Sequence, residues 1–271
     1  MSRQQTLQQT MDSFVQQLPA VYSSGGEAIS EAETCLEMLA QYLIHYSDLF
    51  QEQDMAEEAD FADWEEGLEQ HMMELLEGDF EASSDLGSLP LDVFDPEHIR
   101  DFLGWFLLRE TSDAELIQAY ANVLQKWIDF IQAHGWWKQG EYQGFVETLA
   151  EVTPTATRAA RLSRVLLHFV RSGGGVPPRL RGKQFSCFVE GHGRVVSMEN
   201  SALHLNFDNQ DQQIGPIMLP QPFFELVEQG DVFDVELGLR GDVWVMVDIG
   251  PVYPACVYVE AEEYQGLEKL S

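Results

Sequence analysis

Positive charge is almost missing from the first hundred residues. Between Gln4 and Ile99 there are twenty-three Asp and Glu and no Lys or Arg, in a chain of 271 residues with a formal net charge of -31. Such a surface repels phosphate backbones and anionic lipid at long range, which disfavours nucleic acid as a partner of the whole molecule. Long apolar runs are missing too. No stretch approaches about eighteen uncharged apolar residues, and the opening MSRQQTLQQTMDSFVQQL lacks a basic start followed by an apolar stretch. The expectation is a cytoplasmic protein with no membrane partner. Cysteine is scarce: Cys35, Cys187 and Cys256 are odd in number and far apart, which suits buried thiols in a reducing compartment better than a disulfide framework. There is no Gly-x-Ser-x-Gly, no phosphate loop ending in Gly-Lys-Ser/Thr, no Cys-x-x-Cys and no His-Glu-x-x-His. These absences point to a non-enzymatic protein with no catalytic residue, no cofactor and no metal, and leave an unrecognised hydrolase as the enzymatic alternative.

What is present is enough to fold. Hydrophobic residues make up 45% of the chain and aromatics 11%, which argues against global disorder despite the charge. The length exceeds a usual single domain, so two domains are the default. The acidic extreme is EEADFADWEEGLEQHMMELLEGDFE, residues 57–81, with eleven carboxylates around His71. Phe61, Trp64, Leu68, Met72, Leu75 and Leu76 recur at helical spacing, so the acids form the hydrated side of an amphipathic helix. A docking surface is the second reading. A metal site would need carboxylates converging from several elements, or Glu-x-x-His twice, and the pattern offers neither.

The same grammar runs to about residue 171. Ser24-Gly25-Gly26 precedes a helix over about 27–50. Asp95-Pro96 opens another, and Ser112 with Glu115 forms a capping box for a helix that stops at Gly135. Tyr142, Phe145, Val146 and Leu149 mark a further helix, and Thr153-Pro154 starts the last, ending at Ser172. The segment from Gly78 to Leu91 reads as a loop. Six or seven helices are predicted in all.

The stretch IRDFLGWFLLRETSDAELIQAYANVLQKWIDFIQAHGW, Ile99 to Trp136, resembles the helical core-binding domain of tyrosine recombinases, in which two helices grip DNA. The resemblance covers about forty residues and implies shared helical packing. It does not carry the activity. Arg100, Arg109 and Lys126 are outnumbered by acids, and HFVR, His168 to Arg171, is the sole match to the family's His-x-x-Arg, with no catalytic domain after it. The whole chain also resembles uncharacterised bacterial proteins that join a DFLxWF helical segment, here Asp101 to Phe106, to a small β module.

After SGGG, Ser172 to Gly175, the period falls to two. Leu203, Leu205 and Phe207 alternate with His204 and Asn206, and Phe233, Val235 and Leu237 alternate with Asp234 and Glu236. GLRGD, Gly238 to Asp242, reads as a hairpin turn before the strand VWVMVDI. The expected fold class is therefore α+β. It comprises an acidic all-α domain over 1–171, a basic Gly/Pro hinge over 172–183, a small antiparallel β-barrel of the oligonucleotide-binding or a similar type over 184–262, and a tail over 263–271. The alternation closes within residues 180–262, which predicts that they fold alone. NFDNQDQQIG, residues 206–215, lacks the glycine and closing glutamate of a calcium loop and reads as a turn. GHGR, Gly191 to Arg194, also reads as a turn, with a polar, exposed His192.

The leading functional feature is basic. From Val152 to Val189 there are seven Lys and Arg and no acid. Arg158, Arg161, Arg164 and Arg171, with His168, fall within about 140° on one helix face, and Arg179, Arg181 and Lys183 extend the strip. Three roles compete: an internal clasp onto the chain's own carboxylates, a docking strip for an acidic protein partner, and a nucleic-acid surface beside the barrel. The expected function is a protein-interaction or adaptor protein. Its alternative is a nucleic-acid-associated protein that uses the barrel or mimics a phosphate backbone with its acidic face.

Overall fold

The helices that follow Asp95 and Asp113 start where a side-chain oxygen meets otherwise unbonded backbone N–H groups. The computed structural model describes residues 5–21, 26–47, 49, 86–138, 140–207 and 213–263. The acidic segment 57–81 with His71, and residues 208–212 of the calcium-like run, lie outside them. The contacts sort the chain into two compact units, one of Met1–His98 with Lys126–Tyr142 and one of Ile99–Gln125 with Gln143–Ser271.

The first unit contains α1 (Leu7–Val21) and α2 (Gly26–His45). Their stripes, Leu7, Met11, Phe14 and Leu18 on α1 and Leu36, Leu39 and Leu43 on α2, are buried. Of the three thiols expected to be buried, Cys35 alone is; Cys187 is exposed and Cys256 half-buried. Phe14 meets Phe130 at 5.5 Å between ring centroids, and Phe94 meets Trp127 at 5.5 Å. The chain before α1 is tied to the 86–91 segment by the Leu7 N–H donating to Leu89 O and the Leu91 N–H donating to Gln5 O.

The helix α3 (Pro96–Asp101), whose residues from Ile99 on belong to the second unit, continues through a π-helical turn (Phe102–Phe106) into α4 (Leu107–Glu110). Asp95, in the first unit, caps α3 through Oδ1, which accepts from the Glu97 and His98 N–H groups. The cap of α5 (Ala114–Ala133) is Asp113 rather than Ser112, since Asp113 Oδ1 accepts the Glu115 N–H at 2.9 Å. The two helices expected around Tyr142 and Thr153 are one element, α6 (Glu141–Arg171), of 31 residues with Pro154 inside it. Pro154 is exposed, and the flanking buried residues Val152, Thr153, Ala156 and Thr157 hold the helix through it.

The strands β1 (Cys187–Glu199), β2 (Ala202–Asn206), β3 (Ile214–Met218), β4 (Val232–Arg240) and β5 (Val243–Tyr253) follow, with the short α7 (Gln221–Phe224) between β3 and β4. The fold class is α+β, helices and then a five-stranded mixed sheet. The sheet closes in the order β1-β2-β3-β5-β4. It is not purely antiparallel as expected, because β3 pairs with β5 in parallel through Ile217 and Trp244. A strand order that places β5 between β3 and β4 forces that one parallel contact while every hairpin neighbour stays antiparallel.

GHGR is not a turn but the middle of β1. Gly193 is buried because Phe207 fills the barrel there: a Cβ at 193 would lie 2.7 Å from the Phe207 ring. The real turns are tight. Asn200 and Ser201, both at positive φ, join β1 to β2, and Gly241, at φ +69, with Asp242 joins β4 to β5.

Candidate functional site

The seven cations of the strip separate into one that is consumed within the second unit and six that are not. Arg158 points from α6 to the start of β4, where its two terminal nitrogens donate to the two oxygens of Asp231, each at 2.8 Å. It also donates to Leu226 O at 2.7 Å and lies 3.2 Å from a Glu228 oxygen. The Glu228 N–H donates to Asp231 Oδ2 at 2.8 Å. The side chain of Asp231 is 0% exposed and that of Arg158 14%, so this is a buried bidentate pair. Burial alone disfavours the charged guanidinium, but the hydrogen bonds and charge of Asp231, with Glu228, hold Arg158 above its ordinary range. Burial pushes the Asp231 carboxyl above its usual range, while the hydrogen bonds and charge of Arg158 and the Glu228 N–H act in the opposite direction. A second tie lies along α6, where the Val252 N–H of β5 donates to Ser163 Oγ at 2.8 Å.

Arg161, Arg164 and Arg171 are exposed on α6, and Arg179, Arg181 and Lys183 are exposed on the segment after it. Among the described residues none of the six has a carboxylate within ion-pair distance. The helical wheel explains the division: Arg161, Arg164, His168 and Arg171 span about 80°, and Arg158 lies about 60° outside that arc, toward the barrel. The segment after α6 is anchored by a 3-10 turn (Pro178–Leu180) whose Leu180 is buried. The open Cα side of Gly241, in the β4–β5 turn, faces Leu180 and Lys183, each 3.4 Å from where a Cβ would stand.

Sequence reasoning missed the neighbours of Lys183. Phe185 and Phe188 pack with ring centroids 5.0 Å apart, and the Arg240 guanidinium sits 4.1 Å over the Phe185 ring. Phe185 lies across Gly238, where a Cβ would come within 2.6 Å of the ring. Ser186 fixes this approach, donating from its N–H to Leu239 O at 2.8 Å. Phe188, opposite Gly238 in the ladder, remains 52% exposed, a large apolar ring left open beside the Phe185–Arg240 stack. The available signal was the run of cations just before FSCF, read as hinge composition rather than as a flank to two aromatics.

One step further along the outer face stand Glu190, Glu236 and Asp248, cross-strand neighbours on β1, β4 and β5. Burial, then the charges of Glu190 and Asp248, push the Glu236 carboxyl above its usual range. Among the described residues no group of three or more His, Cys, Asp or Glu side chains is placed to hold a metal. For the hydrolase alternative, Ser112 and Ser163 line one shallow pocket with Arg109 and Gly250. Ser163 Oγ donates to Ala159 O and accepts the Val252 N–H, and the lining includes no histidine to act as its base. His192 packs edge-on against Tyr253, whose hydroxyl is pushed up to about 12 by burial and the charge of Asp234. Comparison with protein-family models, with curated proteins and with solved structures finds no match to this chain.

Proposed function

We propose that the protein is a non-enzymatic interaction protein that takes a polyanionic partner on the exposed strip of Arg161, Arg164, Arg171, Arg179, Arg181 and Lys183. The observation that carries this is the contrast within one segment. Arg158 is satisfied by a buried carboxylate, whereas the other six cations stand in water with no described acid to answer them. Opposite charge on a partner would engage them directly, and Arg is the residue suited to forked contacts with carboxylate or phosphate. We further take the barrel to be of the oligonucleotide-binding type, supported by five strands with β1 closing on β4 and a short helix between β3 and β4. The DNA-gripping helices implied by the recombinase resemblance play no part in this function.

Retention on immobilised heparin tests it. A protein of net charge -31 has no bulk reason to bind a sulfated polymer, so retention at low salt would come from the strip. The wild type is expected to be retained, and the variant with all six cations replaced by Gln to flow through. Flow-through of the wild type would overturn the proposal.

A further inference from the structure

We propose that the polyanion is a single-stranded nucleic acid, with one base stacked on Phe188 and the adjoining phosphates held by Lys183, Arg240 and the Arg179–Arg181 segment; this rests on the cationic-strip function above. A cationic strip alone does not choose between an acidic peptide and a nucleic acid. The ring does. A polyglutamate segment gains nothing from an exposed aromatic face, whereas every nucleobase carries a flat face that stacks on one, and stacking beside cations is how sequence-tolerant single-strand sites are built. Phe188 is the free end of a layered arrangement. The Arg240 guanidinium lies over Phe185, Phe185 lies over Gly238 and against Phe188, and Phe188 is half open to solvent. The ring is held rather than loose, because Phe188 is in the β1–β4 ladder and Ser186 is bonded to Leu239. A duplex offers its bases only at its ends, so the exposed ring selects unpaired strands.

The outer face also fixes a direction. Glu190, Glu236 and Asp248 occupy the next step along β1, β4 and β5, where their charge repels phosphate. A strand stacked on Phe188 is therefore turned away from the barrel wall and toward Lys183 and the segment leading back to α6. The acids act as a border, and the site is expected to be short.

Fluorescence anisotropy of the full chain with labelled dT12, with the same label on a duplex and with labelled polyglutamate tests this at low and moderate salt. The wild type is expected to bind dT12 and to prefer it to the duplex. Phe188→Ala should weaken dT12 about 5- to 100-fold, as loss of one stacked base does, and leave polyglutamate binding within twofold. Glu236→Gln should strengthen dT12 binding by removing part of the border. Gly238→Ala, which displaces Phe185 without altering charge, should weaken dT12 in the same direction as Phe188→Ala; thermal melts identify a variant that has lost its fold. Polyglutamate binding without dT12 binding, or dT12 binding indifferent to Phe188, would overturn the nucleic-acid assignment and leave the cationic strip standing. Binding of none of the probes would overturn both.

Discussion

Asp231 and Arg158 form a pair that is weak evidence of stability but strong evidence of dependence. Desolvating two charges costs several kcal/mol, which good geometry only recovers, while removing one partner leaves the other buried and uncompensated. Asp231→Ala and Arg158→Ala should each cost about 3–5 kcal/mol in urea unfolding, and Arg158→Met with Asp231→Leu should recover most of that. Single variants costing under about 1 kcal/mol would mean that water reaches the pair. Glu236 makes the opposite case. Its carboxyl is held above the usual range, so the protonated form is the one the fold prefers. The contribution of this group to stability is complete below the unfolded carboxyl value of about 4.3 and is lost as pH rises through the folded one. Glu236→Gln should therefore stabilise the protein at pH 7 by about 0.2–1 kcal/mol, and the gain should vanish as pH falls below about 4. A gain that grew toward acid pH would contradict the assigned cause.

At the scale of elements, α6 is the one whose description changed most between sequence and structure. Thr153-Pro154 carries a helix-start signature, yet Glu141 to Arg171 is continuous, because burial of Val152, Thr153, Ala156 and Thr157 outweighs the lost backbone bond at Pro154. Pro154→Ala restores that bond at an exposed position and should raise stability by about 1–3 kcal/mol in urea melts. The helix also supplies Arg158 and Ser163 to the barrel strands. Residues 180–262 alone, which the alternation pattern suggested would fold independently, would leave Asp231 buried without its partner. That fragment should melt without cooperativity, whereas one beginning at Gln143 should melt cooperatively; equal melts would show that the helix is dispensable. Helical stripes and the strands around Leu203, Val235 and Val245 were legible because periodicity is local. β1 was not, since Gly191 and Gly193 read as a turn until Phe207 is seen to occupy the space that the missing side chain of Gly193 leaves. Strand order and the burial of Asp231 were out of reach as well, because both depend on pairings across many residues. The six exposed cations were legible from their spacing, whereas the two phenylalanines gained meaning only when the ladder set Phe188 opposite Gly238.

For the whole molecule the question is how a chain of net charge -31 holds a polyanion. Screening answers it: the Debye length is about 8 Å at physiological salt, so acids farther than that from the strip act weakly on a ligand, while contacts made by the six cations are direct. The long-range field then lowers the association rate more than it weakens the bound state. Each neutralised phosphate of a single strand contributes about -0.7 to the slope of log affinity against log salt. The most direct measurement is that slope for dT12, taken with the wild type, with Arg161, Arg164 and Arg171 replaced by Gln, and with Arg179, Arg181 and Lys183 replaced by Gln. Full engagement of the six cations and Arg240 predicts a slope of about -5 for the wild type and a reduction of about 2 in each triple variant. A slope near zero, or one that neither triple variant changes, would contradict the strip as the surface that holds the ligand.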